Sequence, residues 1–209
     1  MKVSIITPTL PSRSSLLLSR CIPSVQAQDF RGEMEHVIQS DGANPDAWAS
    51  IRISEESGVF RPFPISYLWE GKSGDGYGAN IRKKALERAT GEYIGYLDDD
   101  DAFRPDHVRL LVQALDDHPE CGFAYACMIR HLASGNSVRA GIHGAGKFYG
   151  TCGTPTIMHR REILEVNNWG DPSPYEDYEL VKGWIDKGIQ AFIIDRDTVD
   201  VWPSSEYGH

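Results

Sequence analysis

A chain of 209 residues with 41% hydrophobic and 24% charged residues is long and apolar enough to bury a core without disulfide or metal staples, which excludes a disordered chain. Its formal net charge of −9 repels phosphate backbones and anionic lipid, so non-specific nucleic-acid binding is not expected and an anionic ligand needs local cations. The four cysteines, Cys21, Cys121, Cys127 and Cys152, lack paired C-x-x-C spacing, and no apolar run approaches the roughly 20 residues of a membrane helix; free thiols in a cytoplasmic protein without a transmembrane segment are expected.

Val3-Ser4-Ile5-Ile6 is apolar and rich in β-branched residues, and it runs into Thr7-Pro8-Thr9-Leu10-Pro11-Ser12, which predicts a buried strand followed by a loop. Leu18, Cys21, Ile22 and Val25 then fall on one helical face within 14–28, where Pro23 must kink or divide the helix. A second strand is predicted at 35–39, ending in Ser40-Asp41-Gly42. The stretch 43–78 has little periodicity except for a third strand at 64–69, and its tail at 71–76 reads as a loop. Ile81, Ala85 and Ala89 mark a helix that Gly91 ends, before the apolar strand 93–97 delivers its C-terminal end to Asp98-Asp99-Asp100-Asp101.

Pro105 is expected at a first helical position, with Val108, Leu111, Val112 and Leu115 facing the core, and 123–129 forms another strand. Polar, Gly-rich segments follow from His131 to Gly153, then a short helix near 160–166. A last helix carries Leu180, Val181, Trp184 and Ile185 inward and stops at Gly188, ahead of strand 191–194. This alternation predicts an α/β fold with parallel pairs and right-handed crossovers. No internal repeat or second domain is visible, so residues 1–209 read as one domain.

Open α/β sheets bind ligands beyond the carboxyl ends of their strands, and that is where the four acids at 98–101 lie. Crowded carboxylates repel one another, and a divalent cation on oxygen ligands removes that repulsion. On residue type alone the run is equally a solvated turn that caps the following helix.

The ordered motifs resemble family 2 glycosyltransferases, a nucleotide-binding class with the A fold. Val3 to Thr9 is similar to their first strand and Thr-Pro-Thr turn; Gln39-Ser40-Asp41-Gly42 resembles their Val-Asp-Asp-Gly turn. Arg82 matches the arginine of an Ala-Arg-Asn segment, residues 93–101 an Asp-x-Asp strand followed by Pro105-Asp106, and Tyr175-Glu176-Asp177-Tyr178-Glu179-Leu180 a Glu-Asp acceptor motif. Departures are Lys83 in place of the asparagine, Ala85 in place of a common glycine, and a poor fit over 50–76.

The resemblance implies a single-domain nucleotide-diphospho-sugar transferase fold, Rossmann-like, with a mixed, mainly parallel central sheet and helices on both faces. Residues 1–101 would form its nucleotide-binding half and 102–209 its acceptor half. It implies a metal-dependent, inverting transfer of a sugar from a nucleotide diphosphate, UDP favoured, to an acceptor hydroxyl. Asp100 would bind Mn2+ or Mg2+ bridging the two phosphates, with Asp98 on the ribose or sharing the metal beside Asp99, and His209 a candidate further ligand. Asp41 would contact the base, and the backbone near Thr7, Pro8 and Thr9 would line the same pocket. Arg82 or Arg13 would pair with phosphate, Arg13 being equally a surface arginine. Asp177 would be the general base, with Glu176 its neighbour in reserve; both acids would also suit the positive end of a helix dipole without chemistry.

Of the other histidines, His36, His107, His118, His131 and His159 read as surface or packing residues. Trp169 and Trp202 read as core aromatics or as sugar-stacking platforms. Three other readings compete. A sugar nucleotidyltransferase needs a Gly-rich basic loop after strand one, which residues 7–13 lack. A glycoside hydrolase needs two acids flanking a glycosidic bond. A non-catalytic carbohydrate- or calcium-binding module would use the acidic turn alone. The acceptor class stays open among saccharide, lipid-linked sugar, protein and small molecule. The chain's brevity suggests a minimal catalytic domain that relies on a partner or a homodimer for acceptor binding.

Overall fold

In strand β1 (Lys2–Thr9), Ile5 and Ile6 are both fully buried yet point into different cores, which requires that both faces of the sheet be covered. The computed structural model describes residues 1–60, 62–72, 78–141 and 153–203. Behind β1 the chain turns through α1 (Ser14–Leu16), a π-helical turn (Leu17–Cys21) and α2 (Ile22–Gln26). Pro23 divides the helix as expected, because it has no N–H to donate. Just ahead of it the ladder widens, with Ile22 donating to the carbonyl of Leu17 five residues back.

Strand β2 (Glu33–Asp41) is followed by α3 (Pro45–Glu56), a helix not anticipated in the weakly periodic stretch. Local chemistry accounts for it. Asn44 caps the helix by accepting the N–H of Ala47 at 3.2 Å, and Pro45 suits its first turn, but only Ala47 and Ile51 are buried, so the apolar stripe is too thin to show as a pattern. Strand β3 (Ile65–Glu70), α4 (Ala79–Arg88) and β4 (Tyr93–Tyr96) follow.

After β4 come the two-residue β5 (Ala102–Phe103) and α5 (His107–Asp117). Asp106 holds the N-cap position of α5, so Pro105 precedes the helix and is not its first residue. Strand β6 (Cys121–His131) pairs with β7 (Ser137–Ala140) as a hairpin, and β8 (Ile157–Arg160) leads into a 3-10 turn (Arg161–Glu165) where a short helix was expected. Helix α6 (Glu176–Asp186) ends before Gly188, whose φ of +82° favours a residue without Cβ. Strand β9 (Gln190–Val201) is longer than the apolar run 191–194 suggests, because the polar remainder pairs with β5 and β6.

Among the described residues the strands form one nine-stranded mixed sheet, in the order β3-β2-β1-β4-β8-β6-β9-β5, with β7 pairing with β6 off this path. Its first four strands are parallel; β8 runs antiparallel between β4 and β6 and joins the two halves. One face packs Leu17, Ile22, Ile51 and Leu111 from α1 through α3 and α5, and the other packs Leu86 and Trp184 from α4 and α6. The sheet, helices on both faces and strand-first order are those expected from the sequence. The described cysteines Cys21, Cys121 and Cys127 are buried and free. None of the described helices is long and apolar enough to cross a membrane.

Candidate active site

The amide of Asp101 donates to the carbonyl of Asp98 at 3.1 Å, so the four acids occupy the four positions of one β-turn directly beyond β4. A turn points successive side chains in different directions, and the four carboxylates are shared among Arg82, Thr9, Arg13 and Trp202. Asp98, half in solvent, accepts from Nη2 of Arg82 at 2.5 Å. Asp99 is buried and accepts from the hydroxyl of Thr9 at 2.6 Å and from Nε of Arg13 at 2.9 Å. Asp100 pairs with Nη2 of Arg13, while its carbonyl accepts from Arg20 at 2.5 Å. Asp101 accepts the backbone N–H of Trp202 at 3.0 Å.

Burial is the largest influence on these acids. It pushes Asp99 up to about 7 despite the opposing charge of Arg13, and it raises Asp100 and Asp101 as well, with the neighbouring carboxylates adding to the effect. The turn is therefore not a solvated surface loop. It is a desolvated cluster of carboxyl groups lining a cleft of about 370 Å³.

The start of α6 also lines that cleft. Glu176 reaches across to another helix: its carboxylate accepts the N–H groups of Gly78 and Ala79, both at 3.0 Å, and so caps α4, while Nη1 of Arg82 donates to it at 2.5 Å. Asp177 is held locally, accepting the N–H of Tyr178 at 2.7 Å. Burial raises the affinity of both acids for a proton, against the opposing charge of Arg82. Arg82 is 5% exposed and lies 4.8 Å above the ring of Trp169. Burial alone would favour its loss of charge, but Asp98 and Glu176 hold it above the usual guanidinium value.

Pro8, Thr9, Arg13, Asp41, Arg82, Asp98, Asp99, Asp100, Glu176 and Asp177, the residues singled out in the sequence, line this one cleft together. Thr7 does not join them: its hydroxyl is buried against His36 Nε2 at 2.8 Å and Cys21 Sγ at 3.6 Å. His209 lies outside the described residues, as does Cys152. His159 is a packing residue, bonded to the hydroxyl of Tyr96 at 2.9 Å, and Trp169 is a core aromatic beneath Arg82. His36 and His107 are likewise buried, and burial lowers each to about 3, which leaves them neutral.

Sequence reasoning missed Arg20 and gave Asp101 no role of its own within the acidic run; Trp202, left open between a core aromatic and a sugar platform, lines the cleft. Arg20 stacks over the Trp202 ring at 4.0 Å, and its seven-residue spacing from Arg13, which puts both on one helical face, was the available signal. The bond between Trp202 and Asp101 joins residues 101 apart and has no local signature.

The model of the family described as "Glycosyl transferase family 2" matches residues 4–192. A β-1,3-glucosyltransferase of Campylobacter jejuni, named for GalNAc(5)-diNAcBac-PP-undecaprenol, is 26% identical over 132 residues, covering 61% of this chain and 38% of its own. An uncharacterized glycosyltransferase, R139 of Acanthamoeba polyphaga mimivirus, is 30% identical over 122 residues, covering 52% and 47%. The chain thus spans less than half the length of these relatives. Among solved structures, S. aureus TarS 1-349 in complex with UDP-GlcNAc superposes with a TM-score of 0.73 at 21% identity, over 98% of this chain and 59% of that one. The mannosyltransferase PcManGT of Pyrobaculum calidifontis, solved with GDP-Man and Mn2+, gives 0.72 at 17%, over 98% and 58%. At these identities the structures establish a shared fold.

Proposed function

The chain belongs to glycosyl transferase family 2, and from that membership we propose that it moves a sugar from a nucleotide-diphosphate donor, a UDP-sugar in the favoured case, to an acceptor hydroxyl by a single inverting displacement. The observation that carries this reading is that the acidic turn at 98–101 and the Glu176-Asp177 pair, far apart in sequence, line one cleft and are joined there through Arg82. In this reading residues 1–101 hold the nucleotide and 102–209 the acceptor.

Asp41, at the end of β2, takes the base, beside the backbone of Pro8 and Thr9. Among the described residues no three His, Cys, Asp or Glu side chains form a ready metal cage. Mg2+ is commonly held by one or two carboxylates with substrate phosphates completing its shell, and Mn2+ accepts the same hard oxygens. Asp98 and Asp100, cleft-facing carboxylates crowded by like charge, fit that partial donor set. The ion would neutralise the charge that grows on the departing diphosphate. Arg13, within reach of Asp99 and Asp100, supplies a nearby cation for the same anion.

Asp177 removes the proton from the acceptor hydroxyl. The hydroxyl oxygen then bonds to the anomeric carbon as the bond to the diphosphate oxygen breaks, which inverts that carbon. Burial raises the proton affinity of Asp177 toward that of a useful base. Glu176, bound to Arg82 and to the start of α4, is the less available of the pair. Calorimetric titration with a panel of nucleotide sugars, with and without Mn2+, tests the proposal. One donor should bind in a metal-dependent way and yield a product of inverted configuration by NMR. Calcium binding without nucleotide affinity, or sugar hydrolysis without a nucleotide, would replace it.

A further inference from the structure

Arg82 matches a family arginine expected to meet phosphate, yet its geometry leaves it little freedom to do so. Both terminal nitrogens are committed, Nη2 to Asp98 and Nη1 to Glu176, each at 2.5 Å. The guanidinium is buried and rests on Trp169, and its Nε has no partner among the described residues. Trp169 is fixed in turn, its indole N–H donating to the Tyr96 hydroxyl at 3.2 Å. A side chain at position 78 would collide with Nη1 of Arg82, so Gly78 is what lets the guanidinium lie against the backbone that Glu176 caps.

We propose that Arg82 is a positioning residue that couples the donor-side acid Asp98 to the acceptor-side helix α6, so that occupancy of the nucleotide half sets the placement of Asp177. The inference rests on the donor-binding reading above. A guanidinium is a planar fork with fixed angles between its donors, so two carboxylates bonded to its two ends are held in a fixed relation to each other. Asp98 belongs to the turn beyond β4, whereas Glu176 is the first residue of α6 and the residue before Asp177. A shift of Asp98 toward a bound donor therefore passes through Arg82 to Glu176 and, through the same helix turn, to Asp177. The bond from Glu176 to the amides of Gly78 and Ala79 makes the link two-sided, because α4 carries Arg82 itself.

The test is a thermodynamic cycle on donor binding, measured by calorimetry with Mn2+ and no acceptor, for the wild type, Asp98→Asn, Glu176→Gln and the double variant. Glu176→Gln, on the acceptor side, should weaken the donor about five- to tenfold, the lower range of coupling between linked sites. In the Asp98→Asn background the same substitution should cost less than about twofold, because the link is already cut. Since loss of folding would also weaken binding, Arg82→Lys provides a second background: a lysine keeps the charge but cannot bridge both acids, and there too Glu176→Gln should change affinity less than about twofold. Losses that multiply independently, or an unchanged donor affinity in Glu176→Gln, overturn the coupling while leaving the donor reading intact. A wild type that binds no donor removes the donor reading and the coupling with it.

Discussion

The two acidic clusters that share the cleft are held in opposite ways. In the turn at 98–101 every carboxylate has a partner from a distant element: Arg82, Thr9 with Arg13, Arg13 again, and the amide of Trp202. At the start of α6 the pair is divided, with Glu176 bound to Arg82 and the N-terminus of α4, and Asp177 bound to the amide of its own neighbour. A carboxylate locked by a guanidinium and backbone donors is suited to hold something in place. One that is desolvated and, among the described residues, bonded to the amide of its own helix turn suits the part of a proton acceptor. The contrast accords with the proposal that the turn binds and Asp177 reacts.

The largest effect should come from Asp177→Asn, which keeps shape and removes basicity: kcat should fall by about 10²- to 10⁴-fold, the usual range for a general base. A variant that still turns over normally would end the division of labour. The pH profile sharpens the same point. Burial raises Asp177, and the base works only when deprotonated, so the rate should climb with pH through a value above the ordinary aspartate pKa of about 3.9. That acidic limb should be missing from the residual activity of Asp177→Asn.

A smaller but still large effect is expected from Arg82→Ala, which leaves two partly buried carboxylates without their shared cation. Removing one partner of a buried pair costs about 3–5 kcal/mol, measurable by urea denaturation. The smallest effect is expected at Arg109, whose pair with Asp29 is 44% exposed on both sides. Arg109→Ala should cost less than about 1 kcal/mol. Equal losses for the two arginines would mean that the cleft network contributes no more than a surface contact.

The strands at 3–9 and 93–97 were legible because both faces of a central sheet are buried, which leaves a dense apolar run of β-branched and aromatic residues in the sequence. Helix α3 was not, since only two buried residues, Ala47 and Ile51, and an Asn cap decide it. Strand β8 was also hidden: it is four residues long and takes its register from β4 and β6, which sequence alone does not align. In the site, the strand-end position drew attention to the acids at 98–101, and the family resemblance singled out Asp98, Asp100 and Asp177 as candidates. Their partnerships were not visible. The Arg82–Glu176 bond spans 94 residues, and nothing near either residue announces the other. The reach of Glu176 to cap α4, and not its own helix, is likewise a property of packing.

The division between the two clusters is tested most directly by one comparison of donor affinity, measured in the presence of Mn2+ for the wild type, Asp100→Ala and Asp177→Asn. Asp100→Ala should weaken the donor by about 100-fold, or ~2.7 kcal/mol, while Asp177→Asn should stay within about threefold of the wild type. Equal losses in both variants, or a loss confined to Asp177→Asn, would contradict the assignment of the acidic turn to binding and of α6 to the reaction.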